Sequence, residues 1–455
     1  MAGSFLSRES TIAPPGFSRA MVPPAALAVH LSIGQVYAFS TFNLPLTHLI
    51  GLTHSAPGDW DIKEVVVTFS IAIAILGLAA ALFGPWVERV GPRKSMFVAA
   101  LCFGGGFIVS AVGVHYHSLF LIYLGYGVLG GCGLGIGYIS PVSTLIKWFP
   151  DRPGVATGLA IMGFGGGALI AAPLSVLLMA HFRTPTSNGV LETFVTMGVI
   201  YFMFMMIGVY SARVPAEGWK PAGWTPPATP PPLVTQAHVA VDVAWRTPQF
   251  WLLWVVLCMN VTAGIGVLGQ ASPMIQEIFA GRVNAATAAG FVGLLSFFNM
   301  IGRFFWASTS DYIGRRNTYT VFFALGILLY FSVPSLGRAG SLPLFVAAFV
   351  VILSMYGGGF ATVPAYLRDI FGTMHVGAIH GRLLTAWAVA GVLGPTLITS
   401  IRAYELKSGV PKAQTYSVTM YLMCAFLLIG LICNFCMRPV DEKHHHRAAA
   451  PQRSP

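Results

Sequence analysis

Arg303 lies inside the apolar run NMIGRFFWASTSDYIGRR and is the only Lys or Arg that falls well within such a run. A guanidinium held at depth in lipid costs about 3 kcal/mol on insertion scales, so its presence marks a pathway or a ligand site. Its forked donors match the two oxygens of a carboxylate. Asn299 precedes it by one helical turn, which puts both on one face, where they could hold one anion together. Aromatic and polar residues of other apolar runs complete a candidate pocket: Gln35, Tyr37, Tyr138, Tyr356, Phe360 and Trp387. Tyr hydroxyls donate to carboxylate oxygens while the rings exclude water, and Tyr356 and Phe360 share a face by their i,i+4 spacing. His30 titrates near neutrality within the first apolar run and is a candidate proton relay. This is the chemistry of reversible anion binding, without a covalent step.

The motifs of competing chemistries are missing. No Walker A pattern occurs, and neither H-E-x-x-H nor G-x-S-x-G is present, so neither an ATP-driven pump nor a membrane enzyme is expected. The stretch GFGGGA lacks the strand–turn–helix setting of a dinucleotide fingerprint. The six cysteines lie within or beside apolar runs without metal-ligand spacing, and the HHH of the tail reads as solvated. No cofactor, no metal and no nucleic-acid partner is expected.

The elements that must position these residues follow from composition. The chain has 455 residues, of which 55% are apolar and 9% charged, against about 25% charged in a soluble domain. Apolar runs recur along the chain, and the lipid bilayer is therefore its solvent. Backbone groups in lipid must pair internally, so these runs are helices. Twelve are expected, near 21–50, 62–86, 94–114, 118–147, 153–180, 190–212, 249–279, 285–309, 316–337, 342–367, 376–402 and 416–437. An N-terminus on the cytoplasmic side places 18 of the 26 Lys and Arg there and 7 outside, with Arg303 in the span. The positive-inside rule selects that orientation, which puts both termini in the cytoplasm and reads the net charge of +11 as topological. The first run is too long for a signal-peptide core and is expected to remain as a helix. The chain divides into a tail (1–20), a six-helix half (21–212), a Pro-rich linker (213–248), a second six-helix half (249–437) and a polar tail (438–455).

The two halves repeat at one offset, 223 residues. GPWVERVGPRK (84–94) aligns with ASTSDYIGRRN (307–317), Pro141 with Pro364, and Gly154 and Gly158 with Gly377 and Gly381. A parallel duplication puts a substrate site between the halves near the bilayer midplane. The loop Gly84, Glu88, Arg89, Gly91, Arg93 and Lys94, with its second copy Asp311, Gly314, Arg315 and Arg316, resembles the hallmark loops of the major facilitator superfamily. That resemblance implies an all-α fold of twelve membrane helices in two halves, with these residues gating the cytoplasmic side.

The segments GQVYAFSTF, KWFPDRPG and NMIGRFFWASTSDYIGRR further resemble the oxalate/formate antiporter family and related bacterial monocarboxylate transporters. The resemblance implies a secondary transporter of small carboxylates in a bacterial inner membrane, working as a monomer, with Arg303 binding substrate carboxylate. Two departures bear on the mechanism. Where animal monocarboxylate transporters carry an acidic residue for proton coupling, this chain has Asn299. Where the oxalate transporter carries a second cation after the eleventh-helix tryptophan, this chain has Ala390. One arginine neutralises one carboxylate, and a second unpaired charge in a dry cavity costs several kcal/mol. A monocarboxylate such as lactate, pyruvate or formate is therefore expected. Proton symport and exchange against a counter-anion both stay open, as do oxalate/formate-type exchange and a non-transporting sensor on the same fold.

Overall fold

A computed structural model describes residues 4–52, 54–226, 231 and 233–446. Residues 1–3 and 447–455 of the tails, and part of the linker, lie outside the described residues.

Among the described residues, twelve helices are long and apolar enough to cross a membrane. In chain order they are α1 (Arg19–Leu46), α2 (Ile62–Val90), α3 (Pro92–His115), α4 (Leu119–Trp148), α5 (Pro153–Phe182), α6 (Val190–Ser211), α7 (Pro248–Ile278), α8 (Ala286–Ile313), α9 (Arg315–Arg338), α10 (Leu342–Phe371), α11 (Val376–Lys407) and α12 (Lys412–Phe435). All twelve expected runs are helical. Their ends differ systematically: α2, α8 and α10 each run four residues beyond the expected limit. Apolarity marks only the length bathed in lipid, whereas a helix continues as long as its polar turns find partners. The extra turns carry Glu88, Asp311 and Asp369.

Two helices depart from α geometry. α1 is α-helical over Val22–Ile33, then winds as a 3₁₀ helix over Gly34–Phe42. α4 contains a π-helical stretch over Tyr123–Gly130. Wide and tight turns of this kind re-aim side chains without breaking the backbone ladder, and π segments often mark functional positions. The α1 segment carries Gln35 and Tyr37, two of the candidate site residues.

Within each half, α3 packs on α6 and α9 on α12 at the outside. The halves meet chiefly through α2 against α11 and α5 against α8, with α4 on α11 and α5 on α10. Small residues make this approach possible. A Cβ on Gly84 would stand 2.8 Å from Ala378 Cα, one on Gly381 would meet the Ala80 carbonyl, and one on Gly158 would lie 3.1 Å from the Arg303 carbonyl.

The α5–α8 seam is shut from the end carrying the termini up to the level of Arg303 and Met300, which face Gly165 and Gly166. Beyond it, Gly293 lies two turns further along the same face of α8, and a Cβ there or at Gly290 would meet nothing within 4 Å. The linker is tied down at the shut end. Val214 bridges to Ile12, Val239 bridges to His445, and Trp219 packs edge-to-face on Trp148 with ring centroids 4.7 Å apart.

Candidate functional site

Arg303 has no solvent exposure and forms no ion pair among the described residues. Asn299 Oδ1 accepts from its Nε at 3.2 Å, and the Ile161 carbonyl of α5 accepts from Nη1 at 3.4 Å. Nη2 has no partner. Three rings enclose the guanidinium: Phe360 at 5.2 Å, Phe164 at 5.7 Å and Tyr37 at 6.0 Å. Their faces offer partial compensation for the buried cation. Gly165 leaves the remaining room, since a Cβ there would stand 2.6 Å from Arg303 Nε.

Around this cation the rings form one cluster spanning both halves. Tyr138 lies 5.4 Å from Phe164 and 5.3 Å from Phe360, while Trp387 lies 5.7 Å from Phe360. Tyr138 Oη, Tyr37 Oη and Trp387 Nε1 are buried without hydrogen-bond partners. The Tyr356 hydroxyl stands beside Tyr37 and Trp387. The unpaired N–H of Arg303 and O–H of Tyr138, with the Tyr37 O–H and Trp387 N–H turned toward the Tyr356 hydroxyl, can all donate to one ligand. Buried unpaired donors each cost about 1–3 kcal/mol, so the cluster favours a ligand that supplies acceptors.

The structure thus brings together Arg303, Asn299, Tyr37, Tyr138, Tyr356, Phe360 and Trp387. Gln35 stands apart: its Oε1 accepts from Tyr126 within the first half, and its Nε2 is unpartnered. Asn299 orients the guanidinium, with its oxygen already engaged by Arg303. His30 is held between backbone groups, with Nδ1 2.6 Å from the Ala160 carbonyl and Nε2 3.1 Å from the Tyr138 carbonyl.

One residue absent from the sequence reading belongs to the cluster, and a second borders it. Phe164 touches Arg303, Tyr37, Tyr138, Phe360 and Trp387. It is the mate of Trp387 at the 223-residue offset, so the repeat carried a signal for it. His380 packs against Tyr138 at 5.5 Å and lies two turns before Trp387 on the same helix face.

The hallmark loops sit at the shut end. Asp311 Oδ1 and Oδ2 accept from the backbone N–H of Gly154 and Val155 at the start of α5, both at 2.9 Å. Glu88 Oε1 accepts from Gly377 N–H at the start of α11 at 3.1 Å, and Oε2 pairs with Lys147 at 2.6 Å. Each carboxylate of the repeat therefore caps a helix of the opposite half, where the positive helix end favours it. Arg315 joins Asp311 to Asp369. Gly91 and Gly314 turn with φ of +83° and +84°, a backbone region that favours glycine. The other basic residues face elsewhere. Arg93 donates to Phe5 and Ser10 of the N-terminal tail and to Val209 and Ala212 of the first half, Arg316 donates to the Phe435 carbonyl, and Arg89 is exposed.

Comparison with known proteins fits this geometry. Residues 21–395 match the Major Facilitator Superfamily. The chain belongs to that family. It is a multi-pass membrane transporter rather than an enzyme. It is 27% identical to the oxalate:formate antiporter of Oxalobacter formigenes, over 83% of each chain. It is 24% identical to apicoplast pyruvate carrier 1 of Toxoplasma gondii, over 86% of this chain and 78% of that one. Its fold resembles the proton:xylose symporter XylE with a TM-score of 0.65 at 14% identity, covering 93% of this chain and 96% of that structure.

Proposed function

We propose that this transporter carries a small monocarboxylate, with Arg303 as the carboxylate site and the two halves rocking about it. The observation that carries the reading is a fully buried guanidinium without a carboxylate partner among the described residues, ringed by unpaired donors. A carboxylate supplies both the missing negative charge and the missing acceptors. Relatives that carry oxalate, formate or pyruvate by name support the same substrate class. Ala390 is buried where the resembling oxalate carrier has its second cation, so the cavity offers one guanidinium for one carboxylate. Lactate, pyruvate or formate fits that balance better than a dianion. Oxalate/formate-type exchange is the second reading, favoured by the Oxalobacter relative.

With the termini in the cytoplasm of a bacterial inner-membrane protein, the shut seam is the cytoplasmic one and the conformation faces outward. Alternating access then requires the Asp311–α5 and Glu88–α11 caps to break as the cytoplasmic side opens.

Uptake of labelled pyruvate, lactate, formate and oxalate into proteoliposomes tests this. Wild type should accumulate a monocarboxylate, Arg303→Gln should lose at least about 100-fold in uptake, and Arg303→Lys should lose about 10-fold or more because the fork is gone. Undiminished uptake in Arg303→Gln rejects the site, and faster uptake of oxalate than of any monocarboxylate rejects the charge argument.

A further inference from the structure

His380 is 1% exposed, and neither ring nitrogen has a hydrogen-bond partner. Among the buried histidines described, it contrasts with His30, whose two nitrogens both face backbone carbonyls. It stands on the second turn of α11, above Gly377, which Glu88 caps, and below Trp387 of the aromatic cluster. It is therefore between the anion site and the shut gate.

Two groups stand directly against it, and the helices around it carry the rest. From α4 it meets the Tyr138 ring, and from α1 His30 lies within electrostatic reach. From α8, Arg303 acts on both His30 and Tyr138. From α2, backbone at Ala80 packs on Gly381, and Glu88 is already engaged by Lys147 and Gly377. α7 presents Trp254, which is bonded to Thr385, and α10 presents the Phe360 ring to Tyr138. The neighbouring Arg382 turns outward to Asp242. No carboxylate compensates the imidazole among these groups.

A charged imidazolium in this dry position, beside a helix N-terminus and joined to a lone guanidinium only through the Tyr138 and Phe360 rings, has no compensation, so the shut and empty state requires neutral His380. Opening the α2–α11 and α4–α11 seams brings water to the free ring nitrogens, where an imidazole binds a proton near neutral pH. An anion on Arg303 cancels the guanidinium charge and lets the imidazolium remain as the seams close again. We propose that His380 is the proton-binding group of this transporter, and that its protonation is linked to occupancy of Arg303 by the anion. The proposal rests on the carboxylate reading of Arg303. It assigns the co-transported ion as a proton that is taken from water on the side of the termini, held on a free ring nitrogen, and released to the opposite side when the anion leaves Arg303. His30, whose two nitrogens face carbonyls that accept equally from an imidazolium, is the competing site that the test separates.

Linkage is reciprocal, so it is measurable on the purified full-length protein in detergent without transport. Pyruvate is the probe, with lactate and formate beside it; pyruvate stays ionised throughout pH 6–9, so pH-dependent affinity reports the protein. Wild type should take up close to one proton per pyruvate bound in weakly buffered solution at pH 7, and its affinity should tighten about 10-fold or more from pH 9 to pH 6. His380→Gln should bind pyruvate like wild type at pH 9, take up no proton and show a flat pH profile, while His30→Gln keeps the uptake. Proton uptake retained in His380→Gln, or pyruvate binding by wild type without proton uptake, overturns the assignment. A His380→Gln protein that unfolds at the wild-type temperature but binds no pyruvate at pH 9 makes His380 a ligand and also overturns it. If that variant unfolds early, His380→Asn undergoes the same measurements. Failure of the carboxylate reading is separate: wild type then binds none of the three acids, or Arg303→Gln binds them unchanged.

Discussion

Gly165 acts on Arg303 through the atom it lacks. A methyl group there would stand 2.6 Å from Nε of the arginine, closer than real Cβ contacts allow, and 3.0–3.1 Å from Cδ and Cζ. The arginine is held on that side by Asn299 and by the Ile161 carbonyl, so it must move as a whole or lose those bonds. Gly165→Ala should therefore raise KM for the carboxylate about 10-fold, since a displacement of about 1 Å is costly at a positioned site. The surrounding rings make the same packing, so the thermal midpoint should change by only a few degrees. Uptake kinetics beside a melting curve separate the two; equal KM values would show that the arginine has room to yield. Asn299→Ala removes the acceptor from Nε and should weaken uptake while leaving the cation in place.

At the scale of elements, the two halves close through reciprocal caps. Asp311 and Glu88 occupy equivalent places in the repeat, and so do the helices they cap, which start near Gly154 and Gly377 and donate their N–H groups. Each carboxylate bridges from its own half to the other. Asp311 takes two backbone N–H groups and Glu88 takes one, so Asp311→Asn should be the more disruptive change. A charged cap of this kind contributes about 1–2 kcal/mol, or roughly 5- to 30-fold in population. Alkylation of a cysteine placed at Ser143, which is buried beside Gly377 in the shut state, should accelerate by that factor in Asp311→Asn and less in Glu88→Gln. Unchanged alkylation in both would separate these carboxylates from the gate.

The whole molecule joins its linker and tail to the same end. Thr235 N–H donates to the Asp369 carbonyl, Val239 N–H to Phe371, and His446 N–H to the His238 carbonyl. His238 and His375 lie there close to His446, and burial lowers both below the ordinary histidine value of 6.5, reinforced by the neighbouring histidines and opposed at His375 by Glu88. A lowered pKa means that the docked form binds fewer protons than the released one. The docking contribution is therefore intact above pH 6.5 and declines as pH falls from 6.5 toward the lowered pKa. Limited proteolysis of the linker and tail should be slow at pH 8 and several-fold faster at pH 5.5, with His238→Gln flattening the difference. Equal cleavage rates at both pH values would remove the histidines from this contact.

Much of this was legible in order along the chain. Lipid as solvent makes every spanning helix an apolar run, so twelve spans could be counted, although not the polar turns that lengthen α2, α8 and α10. A lone arginine in such a run stands out by cost alone, and Arg303 did. The duplication was readable because its register survives as a constant offset, which also paired Phe164 with Trp387. What the sequence could not contain is who faces whom. Asp311 and Gly154 are joined across 157 residues and Glu88 and Gly377 across 289, and no local pattern encodes such contacts. The same holds for His30, clamped by carbonyls from two other helices, and for His380, left free beside Tyr138. The 3₁₀ turn in α1 and the π turn in α4 escaped as well, since apolar composition is the same in all three helix types. Spans and the buried cation follow from local chemistry in a uniform solvent; the aim of each side chain at the centre follows from packing the two halves together, and only the tertiary structure decided it.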